Sequence, residues 1–357
     1  MTIEVPTICP GSPELPDLSP APGTFYLAPP LQHTRDRVYV RLRDAGWRVR
    51  FPAAGVMGVE VPGQALPVLL AALEPLMSEP EMAAGSAVFM EHGEVFDARS
   101  LFQSRPLSTW VARAEHEWLL EVIRSERIQI HYHPLVDARD PQRVFAYECL
   151  MRGVGGDGGV IAPGAMFRAA ELADLEFHLD RLARVAAIRD SHLQGIQANL
   201  FINFRPTAIY DPAFCLRTTV GAVEKLGLDP RRIVFEVVET EAISDHRHLR
   251  HIVDQYRQGG FRIALDDLGA GYGSLNLLKD LEPDFVKIDR ELIRHVHRNP
   301  GQATIVEAMV GMARNLGTTT VAEGVEERDE AEWLREVGVD LLQGFYFARP
   351  ASPPPSL

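Results

Sequence analysis

Residues 262–271 read RIALDDLGAG, an apolar run of strand length that ends in two aspartates and a glycine-rich turn. Residues 285–289 repeat this form as FVKID, with a lysine inside the apolar run. Short apolar runs bounded by turn residues are typical of buried β-strands. The two stretches therefore predict neighbouring buried strands whose ends carry polar side chains able to do chemistry.

The same pattern continues through the whole chain after residue 128, where short apolar runs alternate with helical stretches. The predicted strands are Ile128–Val136, Phe145–Met151, Leu200–Phe204, Ile233–Val238, Arg262–Leu268, Phe285–Ile288, Thr319–Ala322 and Leu341–Phe345. Such alternation predicts an α/β fold with crossover helices. Eight strands favour a closed (β/α)8 barrel, although an open doubly wound sheet would give a similar alternation.

The N-terminal part of the sequence has a different character. Residues 1–30 contain eight prolines, which interrupt helix and sheet alike, and we expect an extended or disordered lead there. Residues 31–107 predict a small α/β regulatory module, with strands at Val38–Leu42 and Val56–Val61 and a helix at Leu66–Met77. Residues 108–127 predict a connecting helix, residues 128–350 the barrel, and residues 351–357 a tail.

Composition narrows the functional class. The 357 residues carry a net charge of −13, which argues against binding of DNA or RNA polymers, since that requires clustered lysine and arginine. Three cysteines without paired spacing indicate neither a disulfide framework nor a zinc site, and we expect a reducing, cytoplasmic setting. We expect no secretory signal and no membrane span, because the apolar run at Leu66–Leu73 is too short.

In a barrel of this kind the active site lies at the C-terminal ends of the strands, so side chains there converge. The polar residues at these ends are Glu148, Asn203, Glu236, Glu239, Asp266, Asp267, Lys287 and Glu323. So many carboxylates repel one another unless cations or protons compensate them. Oxygen ligands favour Mg²⁺ or Mn²⁺ over zinc, and two such ions can clamp a phosphodiester and generate a hydroxide for in-line attack.

Each of these residues taken singly also has a simpler interpretation. Asp266 and Asp267 before a glycine-rich stretch could be turn chemistry, and Glu236 could be a solvated charge at a strand end. Lys287 and Asn203 are harder to explain in this way, because each lies inside an apolar run. The joint pattern therefore favours a metal-dependent hydrolase.

Six short motifs, in this order, resemble the EAL domain of cyclic di-GMP signalling, and the resemblance covers about Ile128 to Pro350. The motifs are YECLMR at 147–152, FEVVE at 235–239, ALDDLGAGY at 264–272, VKID at 286–289, VAEGVE at 321–326 and QGF at 343–345. The resemblance implies a barrel like that of triosephosphate isomerase, with one antiparallel strand. It also implies hydrolysis of cyclic di-GMP to linear pGpG with two ions, Mg²⁺ or Mn²⁺, and a homodimer.

The resemblance further implies a role for each matching residue. Metal ligands would be Glu148, Asn203, Glu236 and Asp266 for one ion, and Asp266 with Asp267 for the second. Lys287 and Glu323 would hold the attacking water. Arg152 would contact a substrate phosphate, Glu326 and Gln343 would complete the substrate pocket, and Glu239 would anchor the loop that carries Asp267.

The chain also departs from the family pattern at several positions. His133 stands where a glutamine is usual, before Pro134, and could change the contacts to guanine. Leu268, Ala270 and Gly273 alter the loop that follows Asp266. An alternative is therefore a slow or inactive cyclic di-GMP receptor, in which the nucleotide acts on the small N-terminal module. Retention of every proposed metal ligand favours the enzyme.

Overall fold

The structure, a computed structural model, describes residues 14–94, 96–209, 211–238, 246–269 and 274–357. These residues form two compact units. One contains residues 14–127 together with 164–178, and the other contains residues 128–163 and 179–357. Residues 164–178, which we predicted to belong to the barrel, thus group with the N-terminal unit. Within the described ranges, no helix has the length and apolar character needed to cross a membrane.

The N-terminal unit is built on a five-stranded antiparallel sheet with the strand order β2-β3-β1-β4-β5. Its strands are β1 (Gly23–Ala28), β2 (Val49–Ala53), β3 (Val56–Val61), β4 (Ser86–Glu91) and β5 (Arg105–Pro106). Its helices before residue 128 are α1 (Gln32–Asp44), α2 (Leu66–Leu73), α3 (Glu79–Ala84), α4 (Ala98–Gln103), α5 (Leu107–Glu115) and α6 (Glu117–Arg124). Side chains of the sheet and of α1, α2 and α5 share one hydrophobic core.

Three predictions for this unit were wrong. The lead predicted at residues 1–30 includes β1, the middle strand of the sheet, whose Phe25 and Leu27 are fully buried; residues 1–13 lie outside the described ranges. The strand predicted at Val38–Leu42 is part of α1, because Val38 and Leu42 lie one helical turn apart and both face the core. The predicted connecting helix is two helices, α5 and α6, that meet at His116.

Glu81 links α1 to the start of α3. It accepts hydrogen bonds from the Ser78 backbone N–H (2.8 Å) and from the Thr34 hydroxyl, and Arg37 Nη2 lies 3.2 Å from Glu81 Oε2. The Ser78 backbone bond, the hydroxyls of Thr34 and Ser78 and the charge of Arg37 lower the pKa of Glu81 from 4.5 to about 2. The ionised carboxylate therefore stabilises the folded unit.

We expect Glu81→Gln to lower the melting temperature at pH 7, because the amide loses the charged hydrogen bonds. A lowered carboxyl pKa contributes stability above pH 4.5 that is lost as the pH falls toward 2, so the gap to wild type should close over that interval. Thermal unfolding followed by circular dichroism at several pH values measures this, with Glu79→Gln in the same helix as control. A gap independent of pH would contradict the assignment.

The second unit is a closed eight-stranded barrel, as predicted. Its strands are β6 (Ile128–Asp137), β7 (Val144–Val154), β9 (Asn199–Asn203), β10 (Ile233–Val238), β11 (Arg262–Leu268), β12 (Phe285–Ile288), β13 (Thr319–Ala322) and β14 (Leu341–Gln343), and β8 (Val160–Ile161) pairs antiparallel with the end of β7. The order is β6-β14-β13-β12-β11-β10-β9-β7, and pairing of β6 with β7 closes the ring. Only β6 is antiparallel to both of its barrel neighbours, which confirms the one reversed strand among the described barrel strands.

Helices connect the strands of the second half of the chain. They are α7 (Pro163–Ala173), α8 (Glu176–Leu193), α9 (Pro212–Lys225), α10 (His246–Gln258), α11 (Ser274–Leu281), α12 (Arg290–Ile293), α13 (Pro300–Leu316) and α14 (Arg328–Val337). The helices predicted around Leu249–Tyr256 and Ile305–Leu316 are confirmed as α10 and α13. Both helices were predicted from apolar residues at helical spacing.

The barrel interior contains an apolar layer to which each of the eight strands contributes one residue. This layer consists of Leu135, Ala146, Phe201, Val234, Ala264, Phe285, Val321 and Leu341. Side chains alternate along a strand, so the residue two positions further on faces the same way. The next layer consists of the residues two positions after these in the seven parallel strands and two positions before Leu135 in β6. They are His133, Glu148, Asn203, Glu236, Asp266, Lys287, Glu323 and Gln343. An apolar floor thus carries a layer of polar side chains.

Candidate active site

Lys287 lies at the centre of this polar layer and is almost fully buried. Its Nζ lies 2.6 Å from Glu236 Oε1, 2.7 Å from Glu323 Oε1, 3.1 Å from Asp266 Oδ1 and 3.9 Å from Glu148 Oε1. The side chain reaches these four groups because β12 places Lys287 two residues beyond the apolar Phe285. Four carboxyl groups from four strands therefore converge on one ammonium.

Glu148 is held by neutral side chains from neighbouring strands. Asn203 Nδ2 donates to Glu148 Oε1 at 3.3 Å, and Gln343 Nε2 donates to Glu148 Oε2 at 2.8 Å. His133 Nδ1 lies 3.9 Å from Glu148 Oε2. Of the residues predicted to bind substrate, Gln343 and His133 thus lie beside a predicted metal ligand.

Burial and the mutual charges of the cluster shift the pKa values of its members. Burial would lower the pKa of Lys287, but the surrounding carboxylates, Asp266 foremost, raise it well above its ordinary value. Burial raises the pKa of Glu236 well above the carboxyl range, and nearby carboxylates add to this against the pull of Lys287. For Glu148, burial acts in the same direction, yet Lys287, His133 and the two amide donors together lower its pKa.

Two further carboxyl groups have pKa values close to neutrality. Burial, with the charges of Asp266 and Glu148, raises the pKa of Glu323 to about 8 despite the opposing ammonium of Lys287. Burial and the adjacent Asp266 raise the pKa of Asp267 to about 6. The site contains five carboxyl groups and one ammonium group. It therefore has fewer positive groups than acidic ones, as expected where cations bind.

The donor set fits hard divalent cations. Oxygen atoms of Asp266, Asp267 and Glu323 lie within 4.8 Å of one another. Glu236 Oε2 is buried and has no hydrogen-bond partner among the described residues, and the Asn203 amide donates through nitrogen, which leaves its oxygen as an acceptor. Unsatisfied buried oxygen atoms of this kind match the ligand preference of Mg²⁺ or Mn²⁺. Glu239, the predicted loop anchor, and the altered positions 270 and 273 lie outside the described residues.

Comparison with known proteins places this geometry in a family. The model of the family described as "EAL domain" matches residues 116–350. The chain belongs to the EAL domain family. PdeG of Escherichia coli K12, named as a probable cyclic di-GMP phosphodiesterase, is 30% identical over 245 residues, which cover 66% of this chain and 47% of PdeG. This chain therefore spans less than half the length of that curated relative.

Two solved structures resemble the EAL domain of this chain. A standalone EAL protein from Vibrio cholerae O395, in a cyclic di-GMP-bound form, is 35% identical with a TM-score of 0.58, and the match covers 64% of this chain and 94% of that one. The PaMucR phosphodiesterase in complex with cyclic di-GMP is 30% identical with a TM-score of 0.59, over 66% of this chain and 98% of that one.

A cavity of about 500 Å³ opens above the polar layer of the EAL domain. Its wall includes the predicted substrate residues Arg152, Glu326, Gln343 and His133. Its volume falls in the range of small-molecule sites, about 300 to 1,000 Å³. The structure thus brings ten of the eleven described predicted site residues to one cavity or to its immediate floor, and Asn203 reaches the cavity through Glu148.

Seven residues that line this cavity were not predicted as site residues, and three of them, Asp289, Arg290 and Phe345, carry charged or aromatic side chains. Phe345 is half exposed, its ring centroid lies 6.0 Å from that of His133, and the Arg349 guanidinium lies 4.2 Å from it. An exposed aromatic ring of this kind offers a stacking surface to a nucleobase. Phe345 could have been found from the sequence, because it is the last residue of the QGF motif at 343–345. In the structure, Gly344 packs so closely that a Cβ there would lie 2.1 Å from the Val325 carbonyl oxygen.

Proposed function

We propose that this chain hydrolyses cyclic di-GMP to linear pGpG by in-line attack of water on a phosphodiester, with two divalent cations, Mg²⁺ or Mn²⁺. The observation that carries the proposal is the group of five carboxyl groups around one buried lysine at the C-terminal end of the barrel. Relatives named as cyclic di-GMP phosphodiesterases support the reaction, and the nucleotide-bound structures support the substrate class.

Glu148, Asn203, Glu236, Asp266 and Asp267 would hold the cations. Two ions at such a site lower the pKa of bound water and neutralise charge on the phosphoryl oxygens. The protein contributes an acidic cage above an apolar floor, and the five ligands project from four strands, β7, β9, β10 and β11. The Gln343 amide keeps the Glu148 carboxylate oriented toward this cage.

Lys287 and Glu323 would act on the attacking water. The raised pKa keeps Lys287 protonated at neutral pH, so it donates hydrogen bonds and does not accept the proton. Glu323, 2.7 Å from Lys287 Nζ, has a pKa raised to about 8 in the metal-free protein, and bound cations would lower that pKa and favour the carboxylate that accepts a proton from water. The pair therefore supplies one fixed donor and one proton-exchanging group at the same point.

Arg152 is the residue that we assign to a substrate phosphate. It lines the cavity and donates to the Met151 carbonyl oxygen at 2.9 Å, and within the described ranges most of its guanidinium donors remain for a ligand. We expect Arg152→Met to raise KM for cyclic di-GMP by about 10- to 100-fold, the effect of losing one or two charge-assisted hydrogen bonds. Steady-state kinetics measures this; an unchanged KM would remove the assignment.

The reaction is tested by product analysis in labelled water. Full-length protein is incubated with cyclic di-GMP and Mn²⁺ or Mg²⁺ in H₂¹⁸O, and the products are separated by chromatography and weighed by mass spectrometry. The proposal predicts linear pGpG carrying one ¹⁸O atom on its terminal phosphate. Tight binding of unchanged cyclic di-GMP would instead support the receptor alternative, and neither binding nor turnover would contradict both.

We also propose that the chain works as a cytoplasmic homodimer and that residues 31–107 regulate the barrel. The support is the family resemblance, together with a separate N-terminal unit that has its own hydrophobic core. Analytical ultracentrifugation of the full chain tests the dimer, and a monomer at micromolar concentration in the presence of nucleotide and metal would contradict it.

A further inference from the structure

Helix α8 carries a buried ion pair that no step of the proposed reaction uses. Asp180 and Arg184 lie one helical turn apart, and both are at least 98% buried. The Asp180 Oδ2 atom accepts a hydrogen bond from Arg184 Nη1. Burying two charges is costly unless their geometry and hydrogen bonds repay it, so such a pair calls for a further contact.

The second oxygen of Asp180 makes that contact. Asp180 Oδ1 accepts the backbone N–H of Arg205 at 2.9 Å, and Arg205 lies two residues after Asn203. The chain between them is held from other sides as well, since the Phe204 N–H donates to the Glu236 carbonyl oxygen at 3.3 Å. The Phe204 ring also stacks on Tyr256 of α10, with centroids 5.1 Å apart and planes at 21°.

We propose that Asp180, held in place by Arg184, is a positioning residue for the Asn203 amide; this inference rests on the proposed role of Asn203 as a metal ligand. Among the described residues, the side chain of Asn203 makes one long hydrogen bond, 3.3 Å to Glu148, which by itself fixes the amide weakly. The orientation of the Asn203 amide depends on the backbone at the end of β9. Asp180, on α8, holds that backbone by accepting the Arg205 N–H. The positioning acts at Arg205, through its backbone N–H and the charge of its side chain beside Asp180, and not through contact with the ligand cage.

Two double variants separate the hydrogen bond from the ion pair. Asp180→Asn with Arg184→Met removes both charges but keeps an oxygen acceptor for the Arg205 N–H. Asp180→Leu with Arg184→Met removes the charges and the acceptor together. Because loss of an outer hydrogen-bond partner weakens metal binding by about 10- to 100-fold, we expect about a tenfold weaker Mn²⁺ affinity in the Leu variant. The Asn variant should stay within about twofold of wild type, since it retains the bond.

Isothermal titration of the full chain with Mn²⁺ measures these affinities, and the same pair is made in an Asn203→Leu background. There the Leu variant should cause no further loss, because the ligand that it positions is gone. Equal Mn²⁺ affinities for the two double variants would overturn the positioning role. The same would follow if the Leu variant lost as much Mn²⁺ affinity in the Asn203→Leu background as it does when Asn203 is present. Absence of Mn²⁺ binding by wild type would instead overturn the proposed metal site itself.

Amide hydrogen exchange on the wild-type protein gives a readout that needs no variant to fold. The Arg205 N–H should exchange as slowly as the amides of β9, because a buried carboxylate holds it. Exchange at the rate of an unprotected loop amide would overturn the proposal, whatever the metal titrations show.

Discussion

Lys287→Met is expected to reduce kcat for cyclic di-GMP by about 10³-fold or more, because positioned proton-handling and electrostatic groups each contribute factors of about 10² to 10⁴. Methionine matches the apolar stem of lysine and fits above Phe285. It removes the only ammonium within salt-bridge distance of Glu236, Glu323 and Asp266 among the described residues. The water would then lose its fixed donor.

The same variant should also change how the protein depends on metal. Without Lys287 the buried Glu236 carboxyl either takes up a proton or remains uncompensated, so the metal-free protein should melt at a lower temperature. Saturating Mn²⁺ should restore part of that loss. Lys279→Met is the matched control, since Lys279 lies on α11 with its side chain 78% exposed. Activity within tenfold of wild type would show that the lysine has no part in the chemistry.

Glu236→Gln is expected to separate stability from activity. Glu236 is fully buried, its Oε2 atom has no hydrogen-bond partner among the described residues, and burial raises its pKa. Lys287 keeps three other carboxyl groups after the change, so the variant replaces a buried group whose charged form is disfavoured and does not leave the lysine unpaired. We expect metal-free Glu236→Gln to be at least as stable as wild type, with turnover reduced by about 10²-fold.

The free energy by which bound Mn²⁺ stabilises the fold should be smaller in Glu236→Gln than in wild type. At a Mn²⁺ concentration about 1,000 times the wild-type Kd, binding to one site stabilises the fold by about 4 kcal/mol, and a hundredfold weaker site leaves about 1.4 kcal/mol. Thermal or urea unfolding with and without Mn²⁺ measures both values. The exposed Glu307→Gln on α13 is the control for loss of a carboxylate. An undiminished metal-induced shift in Glu236→Gln would exclude this carboxylate as a ligand.

The barrel was predictable because its strands are buried on both faces. Runs such as Phe285–Ile288 and Thr319–Ala322 contrast with the polar helices around them, and the structure reproduces both ranges without change. The polar layer was predictable for the same reason, since Lys287 and Asn203 interrupt apolar runs that otherwise need no polar residue. Spacing of two from an inner apolar residue also marks Gln343 and His133.

The errors fall where local signals compete. Prolines on either side of residues 23–28 concealed β1, although Phe25 and Leu27 already alternate in the manner of a strand. In α1, Val38, Val40 and Leu42 fit a period of two, but burial of Val38 and Leu42 together with Thr34 shows the helical period of about four. Asp180 and Arg184 gave no signal, because charged residues one turn apart on a helix usually form a solvated surface pair.

The proposed metal-dependent reaction is tested most directly by the initial rate of cyclic di-GMP hydrolysis by the full chain, measured as Mn²⁺ is added to protein that starts in excess chelator. We expect no linear dinucleotide in excess chelator, a rate that rises with added metal, and saturation once the acidic cage is filled. A rate undiminished by chelator, or no product at any metal concentration while cyclic di-GMP remains bound, would contradict the claim that this cage is a metal-dependent phosphodiesterase site.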